Sequence, residues 1–331
     1  MDNKIVLTGI KPTGMPHIGN YLGALKPSID LSQNHKTFMF IADLHALNSV
    51  HDAKTIKQHT YEAAALAIAM GANMENTVLF RQSDINEIYQ LTEFLMNLTP
   101  KGLMNRAHSY KAIVEKNTEA GIDIDSGVNM GLYTYPILMA ADILLYNSDI
   151  VPVGKDQKQH VEFARDIAGY FNNLYGEIFK LPEPVIGEDC GIIPGLDGRK
   201  MSKSYENTIP LLASESELKK KIMRIITDSK TPEESKNPDE STIFQIYKFF
   251  ANEQEIADFR KMFLDGGMGY GTAKTMLFEK INSVLSEPRK EYERLMANKD
   301  ELDAILANGA ERARLVAEKT IARVKKAMLG E

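Results

Sequence analysis

Two short segments, far apart in the chain, carry residue types that could hold a polyphosphate. Residues 8–20 combine three glycines and a lysine with His17 and Asn20, which share a helix face from which both could donate hydrogen bonds. Residues 195–204 place two lysines among serines and glycines, and ammonium groups aimed at a departing phosphate stabilise its developing charge. Taken singly, the first segment also fits a glycine-rich turn with a surface histidine, and the second fits an ordinary basic loop.

A third feature is a lone carboxylate in an apolar helix. Residues 133–146 are nearly all apolar, and their spacing puts Tyr135, Met139 and Asp142 on one face. A buried carboxylate must find a hydrogen-bond donor or lose its charge, so Asp142 either makes an internal salt bridge or cap, or accepts a donor from a ligand. An indole N–H fits as one donor on a flat apolar body, and a phenol O–H fits as well. These residues therefore leave a tryptophan and a tyrosine ligand open.

The elements that must position these residues alternate between strand and helix. Short buried apolar runs predict four strands, and the helical segments between them predict a parallel sheet with right-handed crossovers. The predicted strands are residues 4–8, 37–42, 77–80 and 150–153. His17 then lies where the first strand turns into its helix, at the sheet edge where ligands bind and where a helix N-terminus attracts phosphate. Gly19 has no Cβ and would let a flat base lie against the backbone.

Helical periodicity dominates the rest of the chain. No convincing strand follows Ser214, and residues 84–148 are predicted to be helical. We therefore predict an α/β fold with a Rossmann-like parallel sheet in residues 1–214, including a helical insertion at 84–148 and a lysine loop at 195–206. Residues 215–331 are predicted to form an all-helical domain. Its helices are predicted at residues 215–227, 240–251, 253–264, 271–297 and 299–328.

Composition narrows the class of protein. The chain has 331 residues, enough for about two domains, and its 44% hydrophobic and 25% charged residues are ordinary for a globular protein. One cysteine, Cys190, excludes an internal disulfide and any multi-cysteine zinc or iron–sulfur site, and it favours a reducing compartment. We expect neither a secretory leader nor a membrane span. A net charge of −6 argues against general DNA coating.

Two basic clusters could still bind a polyanion locally. Lys219, Lys220 and Lys221 with Arg224 form one, and residues 311–331, with six Lys or Arg against three Glu, form the other. A solvated helix face is an equally good interpretation of either cluster.

Two signatures together indicate a family. Pro16-His-Ile-Gly-Asn20 resembles the HIGH signature of class I aminoacyl-tRNA synthetases, and Lys200-Met-Ser-Lys-Ser204 matches their KMSKS signature in all five letters. The stretch 139–168 looks like the central block of tryptophanyl-tRNA synthetases, as does Asp43-Leu-His-Ala46 after the second strand. The resemblance covers residues 5–228 and is weaker beyond them. The related tyrosine enzymes usually have a longer chain with an added C-terminal RNA-binding module.

The resemblance implies an enzyme that joins tryptophan to its tRNA. ATP and tryptophan would give tryptophanyl-adenylate and pyrophosphate, and the tryptophanyl group would then move to the 3′ end of tRNA(Trp). The amino acid carboxylate is already the nucleophile, so catalysis would rest on alignment and on charge stabilisation of pyrophosphate, without an enzyme base. The implied catalytic residues are His17, Asn20, Lys200, Ser202 and Lys203.

The resemblance also implies binding residues, position by position. The implied ATP contacts are Lys11, Pro12, Thr13, Gly19, Asn20, Gly154, Lys155, Asp156, Gln157, Ile192, Lys200, Met201, Ser202, Lys203 and Ser204. Asp142 would accept the indole N–H, and the implied pocket residues are Tyr135, Met139, His45, Val151 and Val153. Mg²⁺ would accompany ATP and be held mainly by the phosphates, so no dedicated protein ligand set for a metal is expected.

Partners and location follow from the same resemblance. It implies a cytoplasmic homodimer with tRNA crossing between subunits, residues 84–148 as the natural interface, and a helical C-terminal part that reads the anticodon. The expected partners are ATP, L-tryptophan and tRNA(Trp), with neither membrane nor DNA. Two alternatives are a tyrosyl-tRNA synthetase and a non-catalytic synthetase-like regulatory paralogue, which should have a degraded nucleotide site or a lost tRNA domain.

Overall fold

Five parallel strands form the centre of the molecule, which the computed structural model describes at residues 4–154, 157–186 and 193–331. The strands, in the sheet order β3-β2-β1-β4-β5, are β1 (Ile5–Ile10), β2 (Lys36–Ile41), β3 (Thr77–Arg81), β4 (Ile150–Val153) and β5 (Glu183–Ile186). Met39 and Ile41 of β2 face one buried core, and Phe38 and Phe40 face another. Both faces of the sheet are therefore covered, which explains the continuous apolar runs. The predicted α/β fold is confirmed.

One strand, β5, is missing from the sequence prediction. Glu183 and Pro184 open it, and a charged residue followed by proline usually indicates a turn or a sheet edge. β5 lies at the edge of the sheet beside β4, with Glu183 opposite Ile150. An edge strand pairs on one side only, so this position tolerates Pro184.

Helices connect the strands. The first begins at Ile18 and runs on through α1 (Ile18–Asn20), a π-helical turn (Tyr21–Leu25) and α2 (Lys26–Ser32). The others before the C-terminal part are α3 (Asp43–Ala46), α4 (Ala53–Ala69), α5 (Asn86–Met96), α6 (Lys101–Met104), α7 (His108–Glu119), α8 (Met130–Leu145) and α9 (Lys158–Tyr175). Helices α5 to α8 form the predicted insertion between β3 and β4.

The C-terminal part is helical, as predicted. Its helices are α10 (Glu215–Met223), α11 (Thr242–Tyr247), α12 (Glu253–Asp265), α13 (Tyr270–Ala297) and α14 (Lys299–Leu329). Phe244, Phe259 and Phe263 pack ring against ring and join α11 to α12. Within the described ranges, no helix combines the length and the apolar character that crossing a membrane requires.

The last helix, α14, returns to the sheet and covers β3. Gly309 lies so close to this strand that a Cβ there would stand 1.7 Å from the backbone oxygen of Leu79. Ala310 and Ala313 belong to the same buried core as Phe80. The domain division at residue 214 stays a prediction, and α14 gives the two parts a shared core.

Candidate active site

A cavity of about 830 Å³ opens at the carboxyl ends of β1, β2 and β4, where ligands bind in parallel sheets. Residues 11–16, between β1 and α1, form one side together with Lys203. His45, Tyr135 and Asp142 are among the residues that form the other side. We call the first side the loop half and the second the helix half. The residues predicted to hold phosphate and those predicted to hold an amino acid thus meet in one cavity.

The side chains of His17 and Asn20 form a capping box at the N-terminus of the first helix. The Asn20 backbone N–H donates to His17 Nδ1 at 3.2 Å, and the His17 backbone N–H donates to Asn20 Oδ1 at 3.3 Å. Because Nδ1 accepts, the proton of the neutral ring sits on Nε2. Burial and the nearby Lys203 lower the pKa of His17, which keeps the ring neutral at pH 7. The His17 Nε2–H and the Asn20 amide hydrogens are therefore the donors that their predicted contact with phosphate requires.

The two signature segments contact each other beside the cavity. A Cβ at Gly19 would lie 3.0 Å from His17 Nδ1 and 3.5 Å from the Met201 Cβ. The Ile18 backbone N–H donates to the Ile209 oxygen at 2.9 Å, which joins the first helix to the chain after the lysine loop. Gly19 therefore faces the lysine loop and does not line the cavity. The open face of Gly19, where a base was expected to lie, is next to the Met201 side chain.

Asn207, which carries no sequence signal, fixes the backbone of the lysine loop. Its Oδ1 accepts from the Ser202 backbone N–H at 2.8 Å, and its Nδ2 donates to the Lys200 backbone oxygen at 3.1 Å and to Asp197 Oδ1 at 2.7 Å. Asn207 is buried, whereas the side chains of Lys200 and Lys203 are exposed. The loop therefore carries two solvated ammonium groups on a firmly held backbone. Of the five KMSKS residues, Lys203 is the one that lines the cavity.

Asp142 lies in the helix half with its carboxylate held by two side chains. It is 1% exposed yet lines the cavity. His45 Nε2 lies 3.0 Å from Oδ2, and Gln82 Nε2 donates to both carboxylate oxygens at 2.9 Å. Burial raises the pKa of Asp142, and the bonds from His45 and Gln82 act against that rise. Among the described residues, no lysine or arginine forms a salt bridge with Asp142.

The apolar residues that were predicted to form the amino acid pocket line the cavity around Asp142. Met139, Val151 and Val153 line the cavity, and Leu7 adds to the wall from β1. Apolar walls exclude water and strengthen the interaction of the carboxylate with a donor that enters. The helix half is thus an apolar pocket with one carboxylate, which suits a flat ring that carries one N–H or O–H.

A chain of hydrogen bonds links the helix half to the segment that follows β4. The Tyr135 hydroxyl lies 2.5 Å from His160 Nε2 and accepts from Ser109 Oγ at 3.2 Å. His160 Nδ1 lies 2.9 Å from Gln157 Oε1. Since an amide oxygen only accepts, Nδ1 carries the proton and Nε2 of the neutral ring accepts from Tyr135. Gln157, predicted as an ATP contact, therefore belongs to the same network as Tyr135, predicted as an amino acid contact.

Most of the predicted binding residues surround the cavity. Those that line it are Lys11, Pro12, Thr13, Asn20, His45, Tyr135, Met139, Asp142, Val151, Val153, Gly154, Gln157 and Lys203. The predicted residues of the described ranges that stand outside its lining are His17, Gly19, Lys200, Met201, Ser202 and Ser204. Lys155, Asp156 and Ile192 lie outside the described residues. Gln82 and Asn207 were not predicted from the sequence. The position of Gln82 directly after β3, at the ligand-binding edge of the sheet, is the one signal that could have indicated its role.

The two basic clusters differ in what their side chains contact. Lys219, Lys220 and Arg224 are exposed on α10 or directly after it. Three arginines of the second cluster instead donate to backbone oxygens of the α/β part. They are Arg312, Arg314 and Arg323, which donate to Thr77, Asp84 and Ile178. These arginines hold α14 against the sheet, so the first cluster is the better candidate for a polyanion surface.

Comparison with known proteins finds similarity along almost the whole chain. The model of the family "tRNA synthetases class I (W and Y)" matches residues 2–286. The tryptophan–tRNA ligase of Neisseria meningitidis is 50% identical over 331 residues, which cover 99% of this chain and 98% of that protein. That of Pseudomonas aeruginosa is 49% identical over 328 residues, which cover 98% of this chain and 73% of that protein.

Solved structures agree with these matches. The tryptophanyl-tRNA synthetase of Campylobacter jejuni, solved in complex with ADP and tryptophan, is 43% identical to this chain with a TM-score of 0.87. The match covers 97% of this chain and 98% of that one. The similarity therefore includes both the α/β part and the C-terminal helices.

Proposed function

The chain belongs to the family of class I tRNA synthetases for tryptophan and tyrosine, and we propose that it acts as a tryptophan–tRNA ligase. It activates L-tryptophan with ATP to tryptophanyl-adenylate and pyrophosphate, and it then transfers the tryptophanyl group to the 3′ end of tRNA(Trp). The observation that carries this proposal is the meeting of Lys203, the β1–α1 loop and Asp142 in one cavity. A regulatory paralogue would be expected to have lost one of these parts or the C-terminal helices.

The first step needs positioning more than proton transfer. The tryptophan carboxylate attacks the α-phosphorus of ATP, a new P–O bond forms, and the bond to the bridging oxygen of pyrophosphate breaks. A carboxylate is ionised at neutral pH, so its attack requires no base. Holding the two reactants in line in one cavity supplies much of the rate. The Tyr135–His160–Gln157 network supports this, because it connects residues predicted to hold the two reactants.

The loop half supplies positive charge where pyrophosphate forms. Lys11 and Lys203 both line the cavity, and the N-terminus of the first helix begins beside it. Burial lowers the pKa of Lys11, and a bound polyphosphate would raise it. His17 donates from Nε2 at the same helix end. Charges aimed at the departing group stabilise the transition state more than the bound substrate, which is the condition for catalysis.

Mg²⁺ is part of the proposal as a companion of ATP. It prefers hard oxygen ligands, usually keeps several waters and is commonly bound through substrate phosphates. The described residues contain no group of three or more His, Cys, Asp or Glu side chains that could hold a metal ion. In this proposal the phosphates of ATP provide the main ligands.

Asp142 distinguishes tryptophan by accepting the indole N–H. A buried acceptor rejects a ring that offers no donor, because the carboxylate would then lose a hydrogen bond in an apolar pocket. A phenol O–H could also reach such an acceptor. The relatives of about half-identical sequence, which are tryptophan–tRNA ligases, support the indole over the phenol.

The tRNA, the second subunit and the compartment complete the proposal. The exposed cluster on α10 offers cations to tRNA phosphates. The helical insertion exposes several large apolar side chains, and the family resemblance implies that this region forms the subunit interface, so it is the proposed homodimer contact. These side chains are Tyr89, Met96, Ile122, Ile124 and Met130. The cytoplasm, where ATP and tRNA are available, is the proposed location.

Pyrophosphate exchange into ATP tests the proposal directly. Tryptophan is expected to support exchange with a kcat/KM at least about 100-fold above that of phenylalanine, which offers Asp142 no donor. The same preference is expected over tyrosine, because the similar sequences are those of tryptophan–tRNA ligases. Exchange driven by tyrosine would assign the chain to the tyrosine enzymes. Binding of an aromatic amino acid without any exchange would favour the regulatory paralogue. Aminoacylation of tRNA(Trp) then tests the second step.

A further inference from the structure

We propose that Gln82 is a positioning residue for amino acid selection: its amide holds the Asp142 carboxylate so that one acceptor position faces the indole N–H. This inference rests on the proposed function, since it concerns the ligand that Asp142 accepts. Gln82 is fully buried and absent from the cavity lining, so it acts through Asp142 and not on the substrate.

The number of acceptor positions on Asp142 supports this role. An ionised carboxylate has about four acceptor positions. Gln82 Nε2 lies 2.9 Å from each oxygen, and His45 Nε2 lies 3.0 Å from Oδ2. These three contacts leave about one position on a carboxylate that borders the cavity. One remaining acceptor matches the single N–H of an indole ring.

The backbone of Gln82 is fixed independently of Asp142. Gln82 opens the short 3-10 turn Gln82–Asp84 directly after β3. The next residue, Ser83, donates from its backbone N–H to Asp43 Oδ1 at 3.0 Å and from its hydroxyl to Asp43 Oδ2. The amide therefore reaches Asp142 from a held position at the carboxyl end of the sheet, and it can hold the carboxylate in place.

The orientation of the Gln82 amide is set by the carboxylate. Its Oε1 is buried and has no hydrogen bond to any described residue. The same holds for the Tyr146 hydroxyl and for Glu87 Oε2. Turning the amide over would place Oε1 against Asp142, where two acceptors repel. The observed orientation leaves one buried oxygen unpaired and gives both carboxylate oxygens a donor.

A comparison of two ligands tests the inference. The probes are tryptophan and 3-benzothienylalanine, in which a ring sulfur replaces the N–H. The chain contains no Trp, so the fluorescence of bound tryptophan has no tryptophan background from the protein, and calorimetry measures the sulfur analogue. The wild-type protein is expected to prefer tryptophan by about 10- to 100-fold, the range for a hydrogen bond to a charged acceptor.

Gln82→Met keeps the side-chain length and removes the donors. It is expected to weaken tryptophan binding about 10-fold and to leave the analogue and the KM for ATP within about twofold, so that the preference collapses. Gln254→Met is the control, because Gln254 is exposed on α12, outside both the cavity lining and the proposed dimer contact, and it should change neither ligand.

The outcomes separate the inference from the proposed function. Equal weakening of both ligands by Gln82→Met would mean a packing role and overturn the inference, and so would an unchanged preference. A wild-type protein without any preference would overturn the role of Asp142 together with that of Gln82, and it would do so before any variant is compared.

Gln82→Glu gives a second readout that packing alone would not produce. The introduced carboxyl repels Asp142 when ionised and donates to it when protonated. Tryptophan affinity of this variant should therefore rise as the pH falls from about 8.5 to about 6, whereas that of the wild type should not. The same pH profile in both proteins would contradict the inference.

Discussion

The loop half and the helix half of the cavity are built in opposite ways. In the helix half, Asp142 is 1% exposed and is held by hydrogen bonds with His45 at 3.0 Å and Gln82 at 2.9 Å. In the loop half, the side chains of Lys203 and Lys11 are largely exposed, and Asn207 fixes the backbone on the N-terminal side of Lys203. In the proposed function, selection of the amino acid therefore depends on a rigid buried acceptor, and phosphate binding depends on exposed cations.

This difference matches what each half must do. Telling one aromatic ring from another requires an acceptor of fixed direction in a low dielectric, where a missing donor is costly. Pyrophosphate needs the most stabilisation while it departs, and long hydrated side chains can follow it. We therefore expect changes in the helix half to alter which amino acid binds, and changes in the loop half to alter how fast it reacts.

The largest effect should come from Lys203→Ala. Loss of this cation should lower the rate of pyrophosphate exchange by about 10²- to 10³-fold, because it removes charge aimed at the transition state, while the Kd for tryptophan stays within about twofold. Lys219→Ala is the control, since it removes an exposed lysine that is remote from the cavity and exchange requires no tRNA. Equal losses in rate and in tryptophan affinity would remove the distinction between the two halves.

Asp142→Asn should give the reverse pattern at the helix half. Tryptophan affinity should fall by about 10- to 100-fold, because the charged acceptor is gone. Burial raises the pKa of Asp142 above its ordinary value of 3.8, so the ionised group opposes folding above that raised pKa, and the opposition fades as the pH falls toward 3.8.

Stability measurements on the same variant check the sign of this effect. Asp142→Asn should raise the Tm near pH 7, and the gain should vanish as the pH falls below 3.8, where the aspartate becomes protonated in both the folded and the unfolded state. Thermal unfolding followed over this range measures it. If the substitution lowered the Tm by the same amount at every pH, the ionised Asp142 side chain would not destabilise the folded state, and its pKa would not be raised by burial.

Asn207→Ala tests whether the loop half depends on its backbone. The change removes the side-chain bonds to Ser202 and Lys200, so exchange should slow about 10-fold with a higher KM for ATP and an unchanged Kd for tryptophan. Asn252→Ala is the control, because it removes a helix capping box outside the cavity. If Asn207→Ala weakened tryptophan binding as strongly as it slowed exchange, the two halves would not be independent.

Salt should give the smallest effect and the sharpest contrast. Raising the ionic strength from about 0.05 M to about 0.3 M should increase the KM for ATP about two- to fourfold, because the exposed cations of the loop half are screened. The Kd for tryptophan should change by less than about 1.5-fold, because Asp142 is shielded from the ions. Similar salt dependence of both constants would count against this contrast.

The sequence predicts the parts of the molecule whose signals are local. Apolar runs predict β1 to β4, and residue spacing alone predicts that Asp142 shares a face with Tyr135 and Met139. The HIGH and KMSKS signatures predict the residues around the phosphates. These features depend on neighbours in the chain, so composition and periodicity are enough to find them.

Features set by contacts between distant residues are missed. Gln82 matters only because folding brings it to Asp142, 60 positions away. The partners of Asn207 lie only 5 to 10 positions away, yet Asn207 resembles any loop asparagine until its three hydrogen bonds are known. Gly309 resembles a poor helix residue, and only the structure explains it, since no side chain fits between α14 and Leu79.

The contact of α14 with β3 also constrains how the chain folds during synthesis. Arg314 and Asp84 join across this contact and are 230 residues apart. At about 5–20 residues per second, β3 emerges from the ribosome roughly 10–45 s before α14 does. Throughout that interval the outer edge of β3 is open to pairing with other nascent chains. A premature stop in α14 should therefore yield aggregates in the cell, and not a shortened enzyme with part of its activity.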